Sequence, residues 1–281
     1  YIRGNEFFRA PIDTLEYFAH EQQERTVALD EHFFENVTQA FTEEECRAGE
    51  ALKDAWLERY ARASETIKKK EFERITIELA WKSSKIEGNT YSLLDTERLI
   101  KERAEATGHP HEEAVMIMNH KTALTYIREN EHTFRMLTRA CVEDIHTILT
   151  KDLSVERGLR KSGVGIVGTD YKPKDNIYQI GEQVEEYIRV ESKVVTVLNK
   201  AFTTLVLLAY IQPYADGNKR TSRMLTNAVL MAYGYPPLSF RSIDEVEYKK
   251  AIILCYENNN VYLMKRLFWE QYVDACTNYF G

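Results

Sequence analysis

The feature that most constrains this chain is a series of long segments with apolar residues three and four positions apart. Few helix breakers interrupt them, since 281 residues include only 12 glycines and 6 prolines. This spacing is typical of packed amphipathic helices, so the sequence predicts an all-α fold. We expect helices at 43–85 (with one break allowed), 93–106, 112–129, 134–150, 182–190, 194–211, 218–233, 243–258 and 261–278.

One segment departs from this pattern, residues 162–180, which read SGVGIVGTDYKPKDNIYQI. Glycines, β-branched residues and the turn at 168–170 predict a short β-hairpin. The alternative is an irregular surface loop. Because an isolated hairpin is only marginally stable in water, we expect it to pack on the helices or to receive a partner strand.

Composition excludes several functional classes. A net charge of -7 and a pI near 5.6 argue against a protein that binds nucleic acid directly or a membrane surface. The four cysteines form no CxxC pair, which favours buried thiols in a reducing compartment. The longest apolar run, 201–211, is too short to cross a bilayer, so we expect a cytoplasmic protein.

The most informative segment is 211–227, which reads IQPYADGNKRTSRMLTN. Pro213 ends the preceding apolar helix, and a new helix begins after Gly217. Its first turns carry Lys219, Arg220 and Arg223, although the helix dipole already places positive charge there. A bound anion would offset this charge.

We therefore predict a phosphate-binding turn. Gly217 allows the backbone to approach a ligand closely, the amides of 218–220 are free at the start of the helix, and Arg220 and Arg223 share one face. Asp216 supplies a carboxylate that can hold Mg²⁺ between two phosphates. The alternative is that Asp216 only caps the helix and the basic residues are solvated or paired with carboxylates.

The segment QPYADGNKRTSR resembles the Fic signature: His, any residue, Phe, any, Asp or Glu, Gly, Asn, any, Arg, two of any kind, Arg. The residues that fit it are Tyr214, Asp216, Gly217, Asn218, Arg220 and Arg223. Residues 158–160 and 235–238 also resemble the approach to the family's flap and the exit from its motif helix. The resemblance extends from about Trp81 to the end of the chain.

The resemblance implies a Fic-fold helical bundle with a small β-hairpin flap. It divides the chain into an N-terminal helical region (1–80), an inhibitory-helix segment (81–110), a Fic core (111–240, with the flap at 162–180) and C-terminal helices (241–281). It also implies transfer of AMP from ATP to a Ser, Thr or Tyr hydroxyl of a target protein. A homodimer is an alternative to the monomer.

The resemblance also assigns roles by position. Asp216 would bind Mg²⁺, residues Gly217, Asn218, Lys219 and Arg220 would form the anion hole, and Arg223 would hold the terminal phosphates. Asn227 would approach the base or ribose. The target would dock on the flap, at Thr169, Asp170 and Tyr171, by adding a strand.

Gln212 stands where the family has the histidine that takes the target hydroxyl's proton. An amide does not titrate near neutral pH, so Gln212 cannot act as that base. The seven histidines all precede residue 147, and the sequence predicts no substitute base at the motif. Losing a general base forfeits on the order of 10² to 10⁴ in rate, whereas nucleotide binding can survive. The sequence does not distinguish a natural glutamine from an introduced one.

Upstream, residues 81–89 read WKSSKIEGN, with Ser83 and Glu87 four apart on one helix face and Gly88 as the terminator. Taken alone, this is a helix that ends in a solvated glutamate. By resemblance to the family's inhibitory helix, Glu87 pairs with Arg223 and occupies the space that the γ-phosphate needs.

The expected function is therefore a Fic-type adenylyltransferase scaffold that is autoinhibited and has weak or no activity. The alternative is a non-catalytic nucleotide-binding regulatory or protein-interaction module. A DNA-linked regulator is disfavoured by the net charge. The motif does not exclude transfer of phosphate or phosphocholine, or removal of AMP.

Overall fold

The computed structural model describes residues 9–25, 27 and 32–280, and all regular structure within them is helical. The α-helices are α1 (Thr14–Ala19), α2 (Phe33–Val37), α3 (Glu43–Arg62), α4 (Glu65–Ile86), α5 (Leu93–Glu102), α6 (His111–Glu129), α7 (Arg139–Leu149), α8 (Ile177–Lys193), α9 (Val197–Ile211), α10 (Asn218–Ala232), α11 (Glu245–Asn258) and α12 (Tyr262–Asn278). Short 3₁₀ turns lie at Gln22–Glu24 and Glu131–Arg135. The all-α prediction is confirmed for the described residues.

Capping side chains explain where several helices begin. The predicted helix 43–85 is two helices, because Ala63 is extended and the Ser64 hydroxyl caps α4 by accepting from the amide of Ile67. Thr42 and Glu45 form a capping box at the start of α3. Thr138 caps α7, so that helix begins later than the predicted residue 134. Asn176 caps α8, which begins earlier than the predicted residue 182.

Helices α9 and α10 form the centre of the bundle and pack along each other. Every residue of α9 after Val197 is buried, and every residue of α10 except Lys219 is buried. The surrounding helices α4, α6, α7, α8, α11 and α12 contact this pair or the helices next to it. The short connection between α9 and α10, residues 212–217, is the predicted phosphate-binding turn, and we call it the motif loop.

The predicted β-hairpin at 162–180 is wrong. Residues 162–176, which we call the flap loop, contain turns and irregular backbone but no strand, and α8 already begins at Ile177. The two arms of the loop are joined by the guanidinium of Arg160, which donates to the carbonyls of Ser162 (2.8 Å) and Lys174. One side chain thus replaces the ladder of backbone bonds, and Pro173 has no amide to donate to such a ladder.

One expected domain boundary can be compared with the structure. Helix α4 runs without a break through the expected boundary between residues 80 and 81, so the inhibitory segment is the last part of a longer helix. The expected N-terminal region includes residues 1–8, 26 and 28–31, which lie outside the described residues. None of the described helices has the length and apolar character needed to span a membrane.

Candidate functional site

The motif loop turns sharply because two of its residues take left-handed backbone conformations. Gln212 (φ 51°) ends α9, and Gly217 (φ 81°) precedes the first turn of α10. A Cβ atom on Gly217 would lie 3.0 Å from Thr150 Cγ2 and 3.5 Å from His146 Cδ2. Glycine is therefore required by both conformation and space. No side chain caps α10, which leaves its first amides available to an anion.

Asn218 holds the motif loop together from the first turn of α10. Its Oδ1 accepts from the amide of Tyr214 at 2.8 Å, and its Nδ2 donates to the Tyr214 carbonyl at 2.8 Å. The same Nδ2 also donates to Gln212 Oε1 at 3.0 Å. The predicted role of Asn218 was to offer its backbone amide to phosphate. Its side chain adds a structural role that the signature alone does not reveal.

The side chain of Gln212 is bonded at both ends. Its Nε2 donates to the Ala209 carbonyl at 2.6 Å and to the Tyr256 hydroxyl at 2.8 Å, while Oε1 accepts from Asn218. Tyr256 in turn donates to Ala209 at 3.0 Å. The side chain is only 6% exposed. Gln212 is thus a fixed structural amide at the floor of the site.

Two buried histidines lie near the site: His146 contacts the motif loop, and His120 contacts Ser83 at the end of α4. His146 stacks on Tyr214 with ring centroids 3.6 Å apart, and its Nε2 donates to the Asp216 carbonyl at 2.9 Å. His120 lies deeper, with Nδ1 donating to the Met116 carbonyl at 2.8 Å. Both rings are 1% exposed. The sequence could not place them because the packing of α6 and α7 against α10 brings them in from far along the chain.

Neither histidine is suited to the work of the missing base. Burial lowers the pKa of His146, and burial lowers the pKa of His120 to about 3. Both rings are therefore neutral at physiological pH, with each protonated nitrogen bonded to a backbone carbonyl. His146 supports the motif loop through Asp216 and Tyr214, whereas His120 supports Ser83 beside Arg223.

Arg223 is fully buried and contacts the end of α4. Its Nε donates to Ser83 Oγ and its Nη2 to the Ser83 carbonyl, both at 2.9 Å. Nη2 also donates to Glu87 Oε1 at 2.8 Å, which is the ion pair expected from the sequence. His120 Nε2 accepts from the Ser83 hydroxyl at 2.9 Å and so fixes the donor direction of that hydroxyl.

Glu87 is ionised in this setting. Burial alone would raise the pKa of its carboxyl group, but Arg223, Lys219 and Arg220 outweigh burial and hold the pKa below its usual range. Lys219 Nζ lies 3.8 Å from Glu87 Oε2. Gly88 follows in a left-handed conformation (φ 99°), which ends the helix as predicted.

Asp216 and Arg220 form a second ion pair on the outer side of the loop, with Arg220 Nη2 2.8 Å from Asp216 Oδ2. The Arg220 side chain is 2% exposed and that of Asp216 is 68% exposed. Asp216 does not cap α10, since Gly217 is the capping residue. The described residues contain no cluster of three or more potential metal ligands. Asp216 would therefore hold a Mg²⁺ ion only as its single carboxylate ligand, with substrate phosphates as further ligands.

A cavity of about 440 Å³ opens in front of the motif loop, a size in the range of small-molecule sites. Its floor is the motif loop with Gln212, and Glu87 closes one end. One wall is the flap loop and the other is α11. The lining residues of the walls are Val164, Gly165, Ile166, Val167 and Gly168 on the first, and Tyr248, Lys249, Ile252, Ile253 and Tyr256 on the second.

Asn227 does not face this cavity, so its expected contact with a base or ribose is wrong. The side chain is fully buried, with Nδ2 donating to the Leu238 carbonyl at 3.0 Å and Oδ1 accepting from the Leu238 amide at 2.7 Å. It ties α10 to the chain that follows it. Its position three turns along α10 carries it away from the motif loop, which the signature alone does not reveal.

The three expected flap residues have different surroundings. Thr169 is buried and its hydroxyl accepts from the Tyr171 amide at 3.1 Å. Tyr171 is buried too, stacks on Tyr256 and donates to the Tyr210 carbonyl at 3.1 Å. Asp170 is exposed and accepts from Gln22 at 2.7 Å. Tyr171 thus anchors the loop to the bundle, and without a strand the flap loop has no ready edge for a partner strand.

Arg160 was quoted only as part of the approach to the flap, yet it is a main support of the site. It is 2% exposed, its Nε donates to the Gln212 carbonyl at 2.6 Å, and its amide donates to the Pro213 carbonyl at 3.0 Å. Together with its bonds to the flap loop, these contacts connect the two loops on either side of the cavity. A buried arginine near a motif is a signal that only the three-dimensional structure supplies.

Comparison with known proteins gives similarities to a family, to curated relatives and to solved structures. Residues 136–230 match the Fic/DOC family. The chain is 27% identical over 177 residues to "Protein adenylyltransferase Fic" from Drosophila willistoni, covering 62% of this chain and 36% of that relative. It therefore spans little more than a third of the length of such relatives.

Two solved structures share the fold. A Fic domain containing signaling protein from Bacteroides thetaiotaomicron superimposes with a TM-score of 0.71 at 19% identity, covering 83% of this chain and 95% of that one. IbpAFic2 in complex with adenylylated Cdc42 superimposes with a TM-score of 0.50 at 17% identity, covering 85% of this chain and 73% of that one. At such identities the likeness concerns the fold.

Proposed function

Since residues 136–230 match the Fic/DOC family, we propose that this chain is a Fic-type protein adenylyltransferase scaffold held in an inhibited state. Such a protein transfers AMP from ATP to a protein hydroxyl. The support from relatives is that proteins named adenylyltransferase match this chain, and that a structure sharing its fold was solved with an adenylylated target protein. The support from the site is the geometry around Arg223.

The nucleotide would lie in the cavity with its phosphates against the start of α10. The uncapped amides after Gly217, together with Lys219, suit a polyphosphate anion. Asp216 would hold Mg²⁺, which would supply positive charge to offset that of the phosphates. The carboxylate of Asp216 is exposed and is free to turn toward a metal, and this would leave the buried guanidinium of Arg220 available to pair with a phosphate.

The observation that carries the inhibited state is the buried ion pair between Glu87 and Arg223. Arg223 is fully buried, so a phosphate that needs its guanidinium must displace the carboxylate. Two anions close to the same cation repel each other, and the nucleotide would bind weakly or in a geometry unsuited to attack. Lys219 is shared in the same way, because it too lies next to Glu87.

Gln212 makes the chain a poor catalyst even without this inhibition. Its amide cannot take a proton from the attacking hydroxyl, and both ends of the amide are engaged by neighbours. The same contacts favour the second candidate function, a non-catalytic nucleotide-binding regulatory module. In that case the fixed amide preserves the shape of the loop, and binding without turnover is the functional output.

The test compares Glu87→Gly, Gln212→His and the double variant in a labelling assay with ATP carrying a labelled α-phosphate. The proposal expects transfer from the double variant only, to the protein itself or to an added target. Brisk transfer by Glu87→Gly alone would contradict the role given to Gln212. Binding of magnesium ATP without transfer by the double variant would favour the regulatory module. No binding by any variant would overturn both functions.

The control is Arg223→Ala in the Glu87→Gly background. With the inhibitory carboxylate already removed, losing the guanidinium should abolish magnesium-dependent ATP binding, because the terminal phosphates lose their buried cation. Unchanged binding would mean that the nucleotide does not reach Arg223.

A further inference from the structure

The N-terminal segment (residues 10–25) contacts the flap loop and α11, two elements that line the cavity. Arg25 is the centre of these contacts. Its Nη2 donates to the Gly168 carbonyl at 2.5 Å, and its Nε donates to Glu257 Oε2 at 3.1 Å. The side chains of Arg25 and Glu257 are 8% and 1% exposed. This is a buried, charge-assisted contact between parts of the chain far apart in sequence.

The two partners of Arg25 belong to opposite walls of the cavity. Gly168 is the last lining residue of the flap loop, and Glu257 lies one residue after the lining residue Tyr256 on α11. The walls touch near this point, since a Cβ atom on Gly168 would lie 3.3 Å from Ile253 Cδ1. One guanidinium therefore connects the two walls of the cavity.

Other contacts hold the N-terminal segment in this position. The Tyr17 hydroxyl donates to Glu257 Oε2 at 2.7 Å, and the guanidinium of Arg25 lies 5.2 Å from the ring centroid of Phe18. Gln22 Nε2 donates to Asp170 Oδ1 at 2.7 Å, which gives the segment a second contact with the flap loop. The flap loop has few bonds of its own and no strand partner, so these external contacts matter to its position.

We propose that Arg25 is a positioning residue that sets the opening of the cavity by fixing the flap loop to α11. It touches neither the motif loop nor Glu87, so its effect is on the wall where the flap loop would meet a protein target. The identity of that target site rests on the proposed function, but the mechanical link between the walls does not. Displacing the N-terminal segment would release the flap loop without disturbing the phosphate-binding turn.

The test is amide hydrogen exchange in the flap loop of Arg25→Met. We expect residues 164–171 to exchange about tenfold faster, because the loop loses a charged hydrogen bond to its backbone. The amides of α10 should change less than about twofold. The double variant Arg25→Met with Glu257→Gln leaves no unpaired buried charge and so controls for a general loss of stability. It should show the same faster exchange at residues 164–171.

Two further variants separate positioning from general structure. Arg25→Lys keeps the positive charge but loses the planar guanidinium with its several donors. The exchange rate of the flap loop should therefore lie between those of wild type and Arg25→Met. Lys265→Met removes an ion pair with Glu45 that links α12 to α3 and should leave the flap loop unchanged. Unchanged exchange at 164–171 in both Arg25→Met variants would overturn the proposal. Equal acceleration in α10 would overturn it as well.

The exchange experiment needs neither nucleotide nor turnover. If magnesium ATP fails to bind the Glu87→Gly variant, the proposed function falls while the local effect of Arg25 still stands. If the nucleotide binds and Arg25→Met leaves the flap loop unaltered, only the positioning role falls.

Discussion

The motif loop and the flap loop line the same cavity, yet they are held in place by different means. The motif loop is stabilised largely by neighbouring residues, with Asn218 bonded to both Gln212 and Tyr214, and Arg160 adds bonds to the carbonyls of Gln212 and Pro213. The flap loop is stabilised mainly by side chains from elsewhere, above all Arg160 and Arg25. The comparison indicates a rigid phosphate-binding floor and a wall whose position depends on remote contacts.

The largest effect that separates the two loops is expected from Arg160→Met. Arg160 serves both loops, and the variant removes a donor from three carbonyls, of which that of Gln212 belongs to a buried residue. We expect a loss of about 4 kcal/mol in the free energy of unfolding, measured by urea denaturation. Arg139→Met, which removes only a surface pair with Glu143, should change it by less than about 0.5 kcal/mol. A loss below about 1 kcal/mol for Arg160→Met would show that the loops do not depend on this residue.

The next effect concerns His120, which bonds the Ser83 hydroxyl beside Arg223, and the dependence of its contribution to stability on pH. The folded-state pKa of His120 is about 3, below its ordinary 6.5, so the unfolded chain binds the additional proton first. Its contribution to stability is therefore present above pH 6.5 and is lost as the pH falls toward 3.

Comparison of wild type with His120→Asn at pH 7 and pH 4 measures this contribution. The wild type should lose on the order of 3 kcal/mol more than the variant in free energy of unfolding between these two values. Because His146 is present in both proteins, its contribution to the free energy of unfolding cancels in the comparison. Equal losses in the two proteins would mean that His120 is protonated in the folded state.

A smaller effect is expected where α10 leaves the site. Asn227→Ala removes two hydrogen bonds to the backbone of Leu238, one as donor and one as acceptor. We expect a loss of about 2 kcal/mol in the free energy of unfolding by the same denaturation measurement. An unaltered stability accompanied by weaker nucleotide binding would restore the role that the sequence assigned to Asn227.

The smallest effect is expected from Tyr256→Phe. The variant removes the hydroxyl that bonds Gln212 and Ala209 but keeps the stacking on Tyr171. A loss of about 1 kcal/mol is expected, since neighbouring donors and acceptors can partly compensate. Tyr178→Phe is the control, because Tyr178 is 79% exposed. Equal effects of the two variants would mean that Gln212 does not need the Tyr256 hydroxyl.

Sequence patterns predicted the helical fold, the motif loop and the pairing of Glu87 with Arg223, because each depends on local spacing or on a signature with fixed offsets. They failed for the flap loop, where β-branched residues favoured strands but the long-range contacts of Arg160 decide the backbone. They also missed His146 and His120, since the side chains that pack behind a loop are set by tertiary structure. The role of Asn227 was misjudged for the same reason.

The central claim is that Glu87 pairs with Arg223, the cation that the phosphates of a nucleotide need. The most direct test is calorimetric titration of magnesium ATP into wild type and Glu87→Gly. Because the carboxylate no longer competes for Arg223 and Lys219, the variant should bind on the order of tenfold more tightly. Equal dissociation constants for the two proteins would contradict the account.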